Sequence, residues 1–397
     1  MKQHIDHLQA ISQKGERRII GLMSGTSLDG LDVALCRVTG SGTQTQLSVE
    51  HFTTVPYDEA FRNEVRKVFA QQTIDFQQLC VMNPYIGTLH GGMILQCLEK
   101  WKVAPAQVDL IASHGQTVFH APRKQHMLSG FPNATLQIGD ADHIAVHTGI
   151  ITISDFRQKH IAAGGEGAPL AVYGDFFLFS NPKENRILLN MGGIANFTYL
   201  PASLNASEVF TTDTGPGNTL IDAFTRRFYH QPFDENGHIA ASGQVHGELL
   251  DTLKRHSFFS QPFPKTTGPE VFSTTFVEQV MEGCAAKLQP DDLIATLTRF
   301  TAETIAGAIH HALDDALPYV MYASGGGAHN QTLMRAISEL LPGLPVKQLD
   351  ELGVSGDAKE AVLFAVLANE TMAGTHTFFG AKDGVPGVSL GKISFPG

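Results

Sequence analysis

The chain has 397 residues, 43% hydrophobic and 17% charged, with a formal net charge of -11. That length exceeds what one core usually fills, so two domains are expected, and the composition is that of a globular protein rather than a disordered or fibrous one. The acidic balance, with no basic aromatic-interleaved stripe, argues against nucleic acid and anionic membrane as partners; an anionic ligand would need local donors.

The opening MKQHIDHLQAISQKGERR is polar and has no apolar h-region, and no apolar run reaches the ~18 residues of a membrane span, so a cytoplasmic protein is expected. Cys36, Cys80, Cys97 and Cys284 form no C-x-x-C pair, which removes the zinc-ribbon and thioredoxin readings. Residues 18–23 (RIIGLM) read as a buried strand, followed by the turn SGTSLDG and a second strand, LDVALCRV. Tyr57 to about Lys102 has helical spacing. VDLIASHGQTVF reads as a strand ending in a polar loop, TLQIGDADHIAVHTG as a strand and helix, ITISDFR as a strand, and IAAGGEGAPL as a glycine-rich loop.

NRILLNMGGIANFTYL, Asn185 to Leu200, repeats the order strand, glycine turn, strand seen near the start. The echo is one of pattern, and it suggests two related halves or two unrelated buried hairpins. TTDTGPGNTLIDAFTRRFY then gives a strand end, a loop and a helix; DDLIATLTRFTAETIAGAIHHAL a long helix; PYVMYASGGGAHNQTLMRAISELL a strand, a GGG loop and a helix; DAKEAVLFAVLANETMAG a packed helix. From Thr375 the tail reads as a surface crossing or a strand back to the first domain. Strands and helices alternate, so the class is α/β. The expected lobes are 1–150, rejoined by 371–397, and 151–370.

Three glycine turns are candidate phosphate cradles. Ser24–Gly30 offers successive N–H groups and hydroxyls, and Asp29 and Asp32 could hold a metal-bound water; an ordinary hairpin turn accounts for it equally. Ser324–Asn330 sets three glycines before a helix, where backbone can approach a ligand; the alternative is a helix-entry turn. Asn190–Asn196 is the third. None matches the P-loop or the dinucleotide fingerprint.

Asp213 stands at a strand end before Gly-Pro-Gly, where a carboxylate can act as general base or cap a helix. Asp155 and Arg157 read as an ion pair, structural or ligand-holding. Glu166 is flanked by glycine. Glu360 begins a late helix, where the dipole alone would favour it. His114 reads equally well as a hydrogen-bonded core histidine. His143 and His147 stand four apart without the intervening Glu of a zinc protease. No metal ligand set among protein side chains emerges.

Taken together, MSGTSLDGLDVAL, SHGQTVFH, TLQIGDADHIA, DFRQKHIAAGGEGAPL, LNMGGIANFTYL, DTGPGNTLIDAF and SGGGAHNQTLM resemble the anhydro-N-acetylmuramic acid kinases, from about Arg18 onward. The resemblance implies a two-domain actin-like ATPase fold of ribonuclease H-like halves, with ATP and Mg²⁺ in an interdomain cleft. It implies hydrolytic opening of 1,6-anhydro-N-acetylmuramic acid with phosphorylation of O6, in peptidoglycan recycling. It makes Asp213 the catalytic base. It assigns the nucleotide to Gly25, Thr26, Ser27, Leu28, Asp29, Gly30, Leu31 and Asp32, and the glycine turns Gly192, Gly193, Gly325, Gly326 and Gly327 are read with them. Ser113, His114, Asp155, Arg157, Glu166 and Glu360 look like sugar-site elements.

The chain departs from the family pattern at Gln158, Lys159 and His160 in DFRQKH, at Glu166 in GGEGA, and at Pro269 in KTTGPE. The expected partners are a small-molecule sugar and ATP; a homodimer is compatible with a sequence that does not fix oligomeric state. The residues leave open a kinase of another hexose or amino sugar, a non-catalytic actin-like nucleotide-binding protein, and a metal-dependent hydrolase built on the scattered histidines.

Overall fold

The computed structural model describes residues 1–167, 170–268, 270–283, 288–314, 317–374 and 388–397. Pro269 and Cys284 lie outside the described residues. The chain forms two compact units, Met1–Phe179 with Gly353–Gly397, and Ser180–Leu352. Residues 151–179 and 353–370 therefore belong to the first unit, where the sequence reading assigned them to the second lobe. The cause is pairing and packing. The strand Thr152–Ser154 continues the first unit's sheet, and the helix Lys359–Ala373 lies directly on the first strand.

The first unit's sheet contains β1 (Glu16–Ser24), β2 (Gly30–Thr39), β3 (Gln46–Pro56), β4 (Leu110–Ala121), β5 (Ala134–Ile138) and β6 (Thr152–Ser154). The second unit supplies β7 (Asn185–Met191), β8 (Ile194–Leu200), β9 (Phe210–Pro216), β10 (Tyr319–Ser324) and β11 (Val346–Gln348); β12 (Lys392–Ser394) returns to the first sheet beside β6. The spatial orders are β12-β6-β4-β1-β2-β3, with β5 on β4, and β11-β10-β7-β8-β9.

In each unit the first three strands meander antiparallel, and the next two join the first strand's other side in parallel: β4 and β6 in the first unit, β10 and β11 in the second. The sequence echo is thus a repeated topology. The β1–β2 turn and the β7–β8 turn occupy equivalent places in their own units.

β1 is apolar on both faces because both are covered. Ile19, Ile20 and Leu22 are essentially inaccessible. One face packs on the helix Phe76–Trp101 through Met82, Ile86, Ile94 and Leu98. The other carries the helix Lys359–Ala373, whose backbone comes so near that a Cβ on Gly21 would lie 1.9 Å from the Ala361 carbonyl oxygen. In the second unit Phe197, Ile305 and Ile337 join β8, the helix Pro290–Ala312 and the helix Gln331–Leu340 in one core, and a second cluster around Phe224, Phe272 and Phe300 builds the helical part after β9.

Three local readings change. Tyr57–Lys102 is two helices, Glu59–Arg66 and Phe76–Trp101, the second opened by Asp75 accepting from the N–H groups of Gln77 and Gln78. SHGQT is the middle of β4 rather than a polar loop, because β5 pairs with its second half. The N-terminal segment, which had no reading, forms the helix Lys2–Ser12, anchored by a fully buried Ile11.

Candidate active site

In the second unit three loops meet at the end of β7. The Gly192 and Gly193 carbonyls accept from the main chain of Asn218 (2.8 Å) and Gly217 (2.9 Å), and Thr219 Oγ1 donates to Gly193 (2.7 Å). Asn218 Nδ2 donates to the Met191 carbonyl at 3.0 Å. The GGG loop closes on the same place. Gly325 has φ +79°, and its Cβ would stand 2.8 Å from Met191 backbone; a Cβ on Gly327 would stand 2.6 Å from Met191 Cβ. Close protein packing therefore requires glycine at 325 and 327, whatever approaches the loop from outside. Gly326 and Gly193 are exposed.

Asp213 sits within β9 opposite Asn196. Its N–H donates to the Lys265 carbonyl (2.9 Å), and its Oδ2 accepts from the Thr267 N–H (2.8 Å). Among the described residues Oδ1 has no protein donor. Burial raises the Asp213 carboxyl above the usual range, against the Thr267 N–H, which lowers it.

Lys265, which sequence reasoning passed over, fixes this strand-like segment. Its ammonium donates to the Phe258 and Phe259 carbonyls (3.0 and 3.2 Å) and faces the rings of Phe258 and Phe263 at 4.5 and 4.4 Å. Cation–π attraction and two carbonyl acceptors offset the burial that lowers its pKa. A lysine closing the aromatic run SFFSQPFPK is the only signal the sequence offers.

In the first unit the turn after β1 is held by side chains. Leu28 takes a left-handed φ of 57° and is buried, as is Leu31; these two offer a ligand only backbone. Ser27 Oγ and the Gly30 N–H donate to Asp29 Oδ1 (2.6 and 3.1 Å), and the Ser27 bond holds the Asp29 carboxyl below its usual range. Thr54 Oγ1 donates to Asp32 Oδ1 (2.6 Å). Asp32 is raised, first by burial, then by Asp29 and Asp357. A Cβ on Gly25 would touch only Ser27, at an ordinary 3.5 Å, and Thr26 is exposed.

His114, Arg157 and Glu360 come together on the face that carries the helix Lys359–Ala373. Arg157 Nε donates to His114 Nε2 (3.0 Å) and Nη1 to the Gly167 carbonyl (2.8 Å); the His114 ring lies 4.8 Å from Phe364. An Nε2 that accepts requires the proton on Nδ1, which donates to the Gly115 carbonyl at 2.9 Å. Burial, then the Arg157 charge, push His114 down to about 3, and burial pushes Arg157 down to about 10. Glu360 keeps a solvent-facing surface but is crowded on its inner side. That crowding, then Asp32, raise its carboxyl.

Of the other predicted sugar residues, Ser113 and Asp155 line one cavity with His114. That cavity, of about 540 Å³, is also lined by Asn83, Gln137 and Asp140. Asp155 pairs with Lys392 (2.7 Å) rather than with Arg157, because it takes a left-handed conformation before the helix Phe156–Ala162. Glu166 pairs with Lys124 at the surface (3.0 Å). His160, one of the departures, accepts the Gly167 N–H at 3.0 Å and so fixes the glycine-rich loop. Among the described residues no three His, Cys, Asp or Glu side chains converge as a metal site, and no helix is long and apolar enough to cross a membrane.

The duplicated three-plus-two sheet, with a glycine turn after the first strand of each copy, defines the two-unit actin-like class of ribonuclease H-like folds. Residues 17–394 match the family model for anhydro-N-acetylmuramic acid kinase. Proteins of that name from Pseudoalteromonas atlantica and Pseudoalteromonas translucida are 54% and 51% identical, each covering all of both chains. One from Caldanaerobacter subterraneus is 39% identical over 98% of this chain and all of its own. The chain belongs to the anhydro-N-acetylmuramic acid kinase family.

Proposed function

We propose that the protein uses ATP and water to convert 1,6-anhydro-N-acetylmuramic acid into N-acetylmuramic acid 6-phosphate and ADP, a cytoplasmic step of peptidoglycan recycling. The observation that carries the reading is Asp213, one oxygen tied to the Thr267 N–H and the other without a donor among the described residues, in a chain that matches this family over residues 17–394. Family membership favours this over a kinase of another hexose and over a non-catalytic nucleotide-binding protein.

The substrate has an internal C1–O6 bridge and no free 6-hydroxyl. Asp213 takes a proton from water, the water oxygen bonds to C1, and the C1–O6 bond breaks. O6 then bonds to the γ-phosphorus as the bond to the β-phosphate oxygen breaks, and ADP leaves. Asp213 returns its proton to solvent. A raised carboxyl is a stronger base than an ordinary aspartate. Arg157 and Glu360 hold the sugar, with His114 fixing the guanidinium.

N–H groups at the exposed Thr26, Ser27, Gly193 and Gly326 take the phosphates. A magnesium ion carried with ATP would neutralise phosphate charge. Asp29 and Asp32 fit such an ion, bound through water: Asp29 is readily ionised, and Asp32 is raised partly by neighbouring acids that a cation would relieve.

The test is sugar-dependent ADP release over a panel of anhydro and free amino sugars. The anhydro sugar should stand out, with turnover lost in Asp213→Asn. Equal turnover of free N-acetylglucosamine would overturn the substrate assignment.

A further inference from the structure

One buried polar chain is used by nothing described so far. Ser24, the last residue of β1, donates through Oγ to Gln116 Oε1 on β4 at 2.6 Å. Its oxygen lies 2.8 Å from the Tyr57 hydroxyl, which lies 2.8 Å from His90 Nε2 in the helix Phe76–Trp101. All four side chains are at least nine-tenths buried.

The direction of every bond is fixed by valence. An amide oxygen only accepts, so the single Ser24 proton goes to Gln116. The Tyr57 hydroxyl must then donate to Ser24, and His90 Nε2 must donate to Tyr57. His90 carries its proton on Nε2, and its Nδ1 is left without a partner. Protonating that buried nitrogen would create an orphan donor, and burial holds the ring down to about 4, so it is neutral at working pH.

This chain ends on the turn assigned to the nucleotide. Gln116 Nε2 reaches the Gly25 carbonyl at 3.4 Å, and the Tyr57 main-chain N–H donates to the Asp29 carbonyl at 3.1 Å. Tyr57 therefore braces the turn at both ends, by its hydroxyl through Ser24 and by its backbone at Asp29. Among the described residues the turn has one main-chain bond across it, Leu28 N–H to the Gly25 carbonyl at 3.4 Å.

We propose that Tyr57 and His90 are positioning residues for the nucleotide, holding the Gly25–Asp29 turn in the shape that presents its N–H groups to phosphate. The inference rests on the reading that this turn meets the nucleotide. Pre-set donors bind an anion without the cost of ordering a loop, and a misplacement of about 1 Å can cost up to ~10²-fold.

The test is steady-state kinetics with the two substrates varied separately, on Tyr57→Phe, His90→Leu, His90→Gln and, within the turn, Thr26→Val. Tyr57→Phe keeps the ring and the backbone bond to Asp29 and loses only the hydroxyl. It should raise the KM for ATP about tenfold, with kcat within about threefold and the KM for sugar unchanged. His90→Leu should do the same, and His90→Gln, whose amide can donate to Tyr57, should restore the ATP KM.

Thermal melts confirm that each variant folds; should Tyr57→Phe not fold, the His90→Gln and His90→Leu pair carries the comparison. An ATP KM that moves in Thr26→Val but not in Tyr57→Phe overturns the positioning role and leaves the turn assignment standing. An ATP KM that moves in neither overturns both. Equal loss for both substrates, tracking the melting temperature, reduces the chain to a structural one.

Discussion

The main-chain N–H of Thr267 donates to Asp213 Oδ2 at 2.8 Å, while the main-chain N–H of Asp213 donates back to the same segment at Lys265. The carboxylate is thus oriented by backbone, and an asparagine can keep that bond through its side-chain oxygen. Asp213→Asn should lower turnover by about 10²–10⁴, the usual worth of a general base, with ATP binding intact. Near-normal turnover would remove Asp213 from the mechanism.

The same substitution should not lower stability at neutral pH. A carboxyl whose folded pKa is raised costs the fold stability above that pKa, and costs nothing below the unfolded value near 3.8. The wild type should therefore gain on Asp213→Asn as pH falls from neutral towards about 4. Melting curves at several pH values check this; a gap that widens against the wild type on acidification contradicts the raised carboxyl.

Arg157 binds His114 and the Gly167 carbonyl with two different nitrogens of its fork. A lysine cannot reproduce that geometry. Arg157→Lys should raise the KM for sugar on the order of tenfold, about 1.4 kcal/mol, and leave the KM for ATP alone. Because His114 stays neutral down to about 3, it contributes no step to the rate profile between about pH 5 and 8. A histidine-like step lost in His114→Asn would contradict this.

The glycines divide by what lies at the missing Cβ. Gly21→Ala drives a methyl into the Ala361 carbonyl, and Gly325→Ala meets both a positive φ and Met191 backbone. Each should cost about 1–3 kcal/mol or more, the range for overpacking. Gly326→Ala meets only the Asn218 amide at 3.3 Å and should cost less than either in stability. Denaturant titration ranks them; an equal loss at Gly326 would mean that the loop tolerates no side chain at all.

How much of this the residues revealed depends on the range of the interaction. The hairpins β1–β2 and β7–β8 are local, two apolar runs around a glycine turn, and they are legible. β3 is not: QLSVEHFTTVP has little apolar alternation and is a strand because β2 pairs along its length. The second half of β4 is a strand because β5, more than a dozen residues on, pairs with it from Gln116 to Ala121.

The pairing of Arg157 with His114 spans 43 residues, and the Ser24–Gln116 bond spans 92. No spacing rule reaches so far. The glycine triplet has a long-range partner too, since the atoms that crowd Gly325 and Gly327 include the backbone and Cβ of Met191.

The central claim is that Asp213 delivers water to C1 while O6, freed from the bridge, takes the phosphoryl group. Turnover of anhydro-N-acetylmuramic acid in ¹⁸O-water, quenched before the anomeric hydroxyl exchanges and read by mass spectrometry, tests it. The account predicts one heavy oxygen on C1 and none in the 6-phosphate, with no labelled product from Asp213→Asn. Heavy oxygen in the phosphate, or a phosphorylated product with none on C1, would contradict it.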